Sequence, residues 1–304
     1  MFNFLKKSSF QVPQGGCLKS PVDKYDVLLS EIYPLPVRIA PEMPPPFDLD
    51  VLNQNGYPHC VGYAGAGMKQ EKELRERQRI IFDGDWLYKK CKEIDGYNGP
   101  GTYLRILLKV LQKIGAKPIG QPESEAFKYR IGGYAKVDDL SLEGLKKAYY
   151  VSGVLLLGFI GSNQGWQTAY IRPPKVGEST WGHATFMNGY EKEDGIGQNS
   201  WGKNWGNNGS FYIPKNYMPF EAWAILVDLP LQFLPPGIEG FVAQEYLRTN
   251  SYLIGQEAYP YCNLNLRKEP GGEKITTLSK RQKLIVISEP IKSGSYNWVR
   301  VRVY

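Results

Sequence analysis

The chain changes its period near residue 153. Before that point apolar residues recur at helical spacing, and after it they alternate or run in short blocks broken by Gly, Asn and Asp. Helices first and strands second predict an α+β body with two lobes. Helical patterning begins at Cys60 and runs to about Ile80, and further helices fit 84–94, 102–114 and 140–151. In the helix over 102–114, Leu104, Leu107, Leu108, Leu111 and Ile114 share one face, and Gly115 stops it. Strands are expected at 153–160, 183–190, 195–201, 209–213 and 222–229. The second half of the first helix, Lys69 to Arg79, is charged, with Glu71/Arg75 and Glu73/Arg77 at i,i+4 spacing. That run reads as a solvated helix face.

Two flanking regions break the pattern. Residues 1–49 are rich in Pro, including the run Pro41-Glu42-Met43-Pro44-Pro45-Pro46, and read as an extended strap over the body. Pro230 and Pro235-Pro236-Gly237 mark a linker. Strand candidates beyond it, at 264–267, 284–288 and 298–303, predict a small all-β module. The expected organisation is therefore a strap over 1–49, a two-lobed body over 50–232 and a C-terminal module over 240–304.

Composition narrows the function classes. With 42% hydrophobic and 22% charged residues in 304, the chain has the makeup of an ordinary globular protein. No apolar run approaches the ~20 residues of a membrane span, and MFNFLKKSSF lacks the apolar stretch of a secretory signal, so synthesis in the cytoplasm is expected. Collagen, coiled coil and disulfide mini-scaffold are excluded. The net charge of +7 concentrates in residues 240–304, which hold ten Lys/Arg against five Glu. Such a surface serves solubility, and no nucleic-acid partner is expected. Cys17, Cys60, Cys91 and Cys262 stand far apart, and His59 and His183 are the two histidines, so neither a metal site nor a cofactor is expected. If a cysteine here is a nucleophile with an imidazole base, one of those two residues supplies the base.

Cys60 opens a helix, where unpaired N–H groups and the macrodipole favour an anion and depress a thiol's pKa. The plainer role of such a cysteine is core packing. A partner stands at Trp181-Gly182-His183-Ala184, and sixteen residues beyond the histidine comes Gln198-Asn199-Ser200-Trp201-Gly202, across a turn at Glu193-Asp194-Gly195. Two antiparallel strands so joined set His183 beside Asn199, whose side chain can accept the imidazole N–H and aim the other nitrogen at sulfur. Six residues before the cysteine is Gln54, an amide able to donate to an oxyanion together with the Cys60 N–H.

With these residues in this order the chain resembles the papain-like cysteine peptidases. The resemblance rests on Gln54, Cys60, Gly182-His183-Ala184 and the run Asn199-Ser200-Trp201-Gly202-Lys203-Asn204-Trp205-Gly206, and covers roughly residues 48–230. It implies a helical lobe and a β-barrel lobe with the site between them. It implies Cys60 as nucleophile, His183 as acid and base, Asn199 as orienter, Gln54 as oxyanion donor and Trp201 as a shield of the His–Asn bond. Gly101, in Asn98-Gly99-Pro100-Gly101, is the nearest match to the family's glycine loop that pairs with substrate backbone; with Trp201 and Trp205 it is the expected substrate contact. Departures lie around the nucleophile: Tyr57-Pro58-His59-Cys60-Val61 lacks the family's upstream Cys and its following aromatic. His59 adjoins the thiol, but helix neighbours point apart, so it is not expected to be the base. Asn208-Gly209-Ser210 forms a sequon that reads as a turn.

The C-terminal region resembles bacterial SH3-like domains through Leu264-Asn265-Leu266-Arg267-Lys268-Glu269-Pro270 and the closing Trp298-Val299-Arg300-Val301. That resemblance implies a small all-β barrel with a cell-wall or peptide ligand, and eight aromatics in 241–304 are available to line a groove. Three functions remain open: a cysteine endopeptidase acting on a peptide or protein substrate, a lysin-like hydrolase of cell-wall peptides, and a silent papain fold used for binding or structure.

Overall fold

The switch from helical to alternating period coincides with a change of architecture. The computed structural model describes residues 15–24, 26–33, 35–226, 238–249, 256–278 and 284–303. Two compact units divide the chain, 1–225 and 226–304. The prolines expected to mark the linker, at 230 and 235–236, lie outside the described residues.

The first unit opens with β1 (Cys17–Leu18) and a single helical turn, α1 (Leu29–Ile32). Helices α2 (Cys60–Arg75) and α3 (Gly84–Lys92) follow, then the two-residue strand β2 (Thr102–Tyr103) and α4 (Leu104–Lys113). Asp83 caps α3 by accepting from the Trp86 N–H, and α4 buries Leu104, Leu107, Leu108 and Leu111, the apolar face read from its spacing. Beyond β3 (Gly133–Lys136) and α5 (Leu142–Ser152) the sheet is laid down: β4 (Leu155–Ser162), β5 (Thr180–Tyr190), β6 (Asp194–Gln198), β7 (Ser210–Pro214) and β8 (Glu221–Leu226). The strand order is β3-β8-β4-β5-β6-β7. β4 lies inside this sheet and is buried at every residue except Ile160, which explains its unbroken apolar run.

Helix α2 packs against both α3 and β5. Its small residues permit this. A Cβ at Gly62 would sit 2.2 Å from the Gly84 carbonyl oxygen, and one at Gly67 would sit 2.5 Å from the Phe186 ring. Apolar burial continues through Val61, Ala64 and Met68 into a core shared with α3, α4 and β4.

The expectation of a solvated face over Lys69 to Arg79 holds for Arg75 to Arg79, which are exposed, and is corrected for the first five residues. Lys69, Gln70, Glu71, Lys72 and Glu73 are all buried. Lys69 Nζ donates to Glu73 Oε1 at 2.5 Å, and Arg75 Nη2 donates to Glu71 Oε1 at 2.7 Å and to the Gly153 carbonyl at 2.8 Å. Gln70 donates to Asp50, whose carboxylate also pairs with Arg79, so the chain before α2 covers this face. Partners one turn apart supply hydrogen bonds to these buried groups and offset part of the desolvation cost. The helix also ends earlier than its pattern suggests, at Arg75, with Arg77 in the left-handed region.

The second unit contains β9 (Ile238–Ala243), β10 (Leu247–Arg248), β11 (Glu257–Pro260), β12 (Leu264–Arg267), β13 (Lys274–Leu278), β14 (Leu284–Val286), β15 (Ile291–Ser293) and β16 (Tyr296–Val303). Its sheet runs β10-β11-β14-β16-β9-β12-β13, with β15 paired to β16. Val242, Leu266, Val286, Val299 and Val301 form its own core.

Burial raises the Glu71 carboxyl to about 7 from its usual 4.5, against the pull of Arg75. The folded state therefore holds this proton up to about pH 7, whereas the unfolded chain releases it near 4.5, so Glu71 costs stability progressively across that window. Replacing it with Gln removes that dependence. In urea unfolding, the stability of Glu71→Gln relative to the parent is expected to improve between pH 4.5 and pH 8, by on the order of 2–3 kcal/mol.

Candidate active site

β5 and β6 pair antiparallel with Phe186 opposite Gln198. His183, three residues before Phe186, and Asn199, one after Gln198, therefore end side by side. His183 Nε2 and Asn199 Oδ1 are 2.8 Å apart, and Oδ1 also accepts from the Ser200 N–H at 2.8 Å. An oxygen cannot donate, so the imidazole proton belongs on Nε2 and Nδ1 is left as the acceptor. Cys60, the first residue of α2, lies against the same strand: the Ala184 N–H approaches its Sγ at 3.4 Å.

Gln54 joins this group through Ser200. Its backbone N–H donates to the Ser200 carbonyl at 2.9 Å, and its Oε1 accepts from Ser200 Oγ at 2.7 Å. Nε2 donates to the Tyr57 carbonyl at 2.6 Å, which leaves its second N–H available. The three residues of the Asn199-Ser200-Trp201 string thus have separate tasks. Asn199 holds His183, Ser200 holds Gln54, and Trp201 covers the imidazole with ring centroids 4.7 Å apart. The role of Ser200 was not legible in the sequence, because a serine between two motif residues carries no signal of its own.

The histidine is enclosed by aromatics. Trp166 and Trp181 meet its ring edge-on at 5.4 and 5.8 Å. Trp166 is fully buried, and its Nε1 donates to Tyr217 Oη at 2.9 Å. Neither tryptophan was marked by spacing, since a large aromatic in a loop or at a strand start looks like any core residue. Trp205, expected to touch substrate, is instead buried in this cluster with its Nε1 donating to the Trp166 carbonyl at 3.0 Å, so it packs and presents nothing to a ligand. Trp201 is likewise buried and acts as a cover.

His59 is engaged elsewhere. Its Nδ1 lies 2.7 Å from Asp85 Oδ1, and its ring stacks on Tyr88 at 3.9 Å. This ties the residue before Cys60 to α3. Tyr88 Oη in turn accepts from the Gly101 N–H at 3.1 Å.

The electrostatics differ from the thiolate expected at a helix start. Desolvation pushes the Cys60 thiol up to about 12, outweighing the backbone N–H groups of Ala184, Val61, Gly16 and Cys60 that oppose it. Desolvation likewise lowers His183 to about 4, against the support of Asn199. In this state both groups are neutral. A strand of the protein's own chain lies beside the thiol, and the Gly16 N–H is one of the groups that oppose the upward shift. Gly16 donates to the Gly182 carbonyl at 3.0 Å and accepts from the Thr102 N–H at 3.1 Å, and β1 pairs parallel with β2. Gly101, with a φ of +87°, faces this strand: a Cβ there would sit 2.7 Å from the Gly16 carbonyl oxygen. Cys60 has no solvent exposure, although the helix start alone marks it as the most reactive thiol.

No family model matches the chain. It is 25% identical over 260 positions to an uncharacterised peptidase C1-like protein of Acanthamoeba polyphaga mimivirus, covering 69% of this chain and 84% of that one. Among solved structures it resembles xylellain, a cysteine protease from Xylella fastidiosa, with a TM-score of 0.62 and 23% identity over 71% of this chain and 97% of that one. Procathepsin B of Trypanosoma congolense gives 0.56 at 12% identity, covering 70% and 86%, and procathepsin L 3 of Tenebrio molitor larval midgut gives 0.55 at 14%, covering 71% and 76%. The fold of the first unit is papain-like.

Because burial lowers His183, uncovering it should raise it. In Trp201→Ala the imidazole is expected to titrate well above about 4, towards its usual 6.5, as followed by NMR of the ring protons. An unchanged value would mean that Trp201 contributes nothing to its desolvation.

Proposed function

We propose that the chain hydrolyses peptide bonds within proteins or peptides through a Cys60 thiolate. The observation that carries this reading is the bond from His183 Nε2 to Asn199 Oδ1, 2.8 Å long, with Cys60 Sγ held by the very next residue of the same strand. Fold likeness to cysteine proteases supports it.

In this reading His183 Nδ1 takes the Cys60 proton once the cleft admits water and substrate. The sulfur attacks the scissile carbonyl carbon, and the developing oxyanion receives the second N–H of Gln54 Nε2 and the Cys60 N–H at the start of α2. The imidazolium then protonates the leaving amine, giving a thioester, and a water deprotonated by the same nitrogen releases the acid. Asn199 holds the tautomer throughout. The Trp166, Trp181 and Trp201 enclosure keeps water from competing for the His–Asn bond.

The second unit is proposed to be an SH3-like module that docks a peptide or cell-wall ligand. The string at Leu264–Pro270, which supplies β12 and the residues after it, supports this, as do Tyr246, Tyr261 and Tyr296. Their rings cluster at 5.9 and 6.2 Å, and Tyr261 and Tyr296 are exposed. Aromatic faces of this kind suit peptide backbones and prolines. Tyr261→Ala with Tyr296→Ala in the full chain should reduce retention on peptidoglycan or on a proline-rich peptide column at least tenfold; unchanged retention on both removes the targeting role.

The mechanism requires unequal losses. Cys60→Ala is expected to abolish peptide hydrolysis, and His183→Ala to cost nearly as much. Asn199→Ala should cost less, because it orients rather than reacts, and Gln54→Ala about 10²–10³ in kcat. His59→Ala should stay within tenfold of the parent. Loss of cleavage in His59→Ala with retention in His183→Ala would overturn the assignment.

A further inference from the structure

Helix α3 ends on a lysine, and the chain folds back around it. Lys92 is the last residue of α3, where a cation suits the carbonyl end of the helix dipole. The residues that follow wrap its ammonium. Nζ donates to the carbonyls of Tyr97 at 2.5 Å, Gly99 at 3.1 Å and Gly101 at 3.1 Å, and to Asp95 Oδ2 at 2.8 Å. The Tyr97 ring lies over the same nitrogen, 4.9 Å from its centroid. Asp95, whose side chain is 1% exposed, also accepts from the Tyr97 N–H at 2.9 Å through Oδ1. An ammonium carries three protons, so four oxygens gathered on it use all of its donors.

The segment 93–101 contains neither helix nor strand, so the lysine supplies the hydrogen bonds that a ladder would. Gly101 closes it with a φ of +87°, backbone that favours glycine. The Gly101 carbonyl goes to Lys92, and its N–H donates at 3.1 Å to Oη of Tyr88, one turn earlier on α3. Both polar groups of Gly101 are thus committed within the protein. The next N–H, on Thr102 at the start of β2, donates instead to the Gly16 carbonyl at 3.1 Å. Thr102 is therefore the residue at which this segment turns a backbone donor to another strand, and Lys92 fixes the residue before it.

We propose that Lys92 is a positioning residue for substrate: its ammonium gathers the oxygens of 95–101, commits Gly101 inward, and so holds the edge at Thr102 in place for a peptide backbone. The inference rests on the reading of the chain as a peptidase. Without the ammonium, a buried carboxylate and three carbonyls lose their donor, and the segment is driven to rearrange. Lys92 touches no reacting atom. Its removal weakens binding of substrate and transition state alike, so the loss falls on KM and leaves kcat in place.

The test uses the full-length protein with two readouts: hydrogen exchange over 95–103 by mass spectrometry, and steady-state hydrolysis of benzyloxycarbonyl-Phe-Arg-aminomethylcoumarin. Lys92→Met keeps the aliphatic chain and removes the donors. Exchange over 95–103 should quicken tenfold or more, and KM should rise at least tenfold with kcat within threefold. Lys89→Met, exposed on the same helix, is the control and should stay within twofold in both. In Lys92→Ala, propylammonium replaces the deleted Cγ to Nζ atoms. It should restore at least half of the lost protection and half of the lost affinity, measured against the parent in the same salt. Unchanged exchange in Lys92→Met overturns the gathering role. Faster exchange with an unchanged KM, or a loss confined to kcat, overturns the positioning role. A parent that hydrolyses no peptide overturns the peptidase reading and the substrate role with it, whereas an active parent with an unchanged KM in Lys92→Met overturns Lys92 alone. Should Lys92→Met not fold, Tyr88→Phe frees the Gly101 N–H while keeping the ring, and unchanged exchange and KM in that variant overturn the proposal.

Discussion

The packing of α2 on β5 sets the rest of the first unit. A helix whose inner face carries glycine and alanine can lie within backbone distance of its neighbours, and here that closeness brings Cys60 to the Ala184 N–H. A larger residue at Gly62 or Gly67 would push the helix off α3 or off Phe186. The thiol would then lose its place against the Ala184 N–H. The same close packing buries the charged half of α2, and its ion pairs are the condition on which that burial is tolerated.

Around His183 the design is one of exclusion. Three tryptophans surround a single polar pair, and the low dielectric they create strengthens the bond to Asn199 while disfavouring charge on the ring. Cys60 experiences the same penalty. Both groups are therefore neutral where they stand.

The region that reads as a proline-rich strap does two things among its described residues. Met43 pairs with Tyr190 along the sheet. Cys17 and Leu18 pair parallel with β2, which brings Gly16 against Cys60. Proline content describes how stiff a segment is and says nothing of which groove it follows. The fit at Gly16 emerges only when Pro58, Thr102 and Gly182 surround it.

The sequence by itself determined the order of the main helices and of β4 to β8, the four leucines of the α4 face though not the exposed Ile114, the β5–β6 hairpin though with its turn before Asp194, and the residue types that converge on the site. Each of these rests on local spacing: period, turn chemistry, and strings in which neighbours along the chain remain neighbours in space. It also disfavoured His59 against His183, and the Asp85 and Tyr88 contacts give His59 other partners. What only the tertiary structure decided depends on residues far apart in the chain. Solvation of the α2 charges, the joining of Gln54 to Asn199 through Ser200, the retreat of Trp205 into the core and the neutral state of Cys60 and His183 all follow from which distant segments cover which side chains. Burial is a property of the assembled neighbourhood, and a pKa or a charge's exposure follows burial rather than spacing.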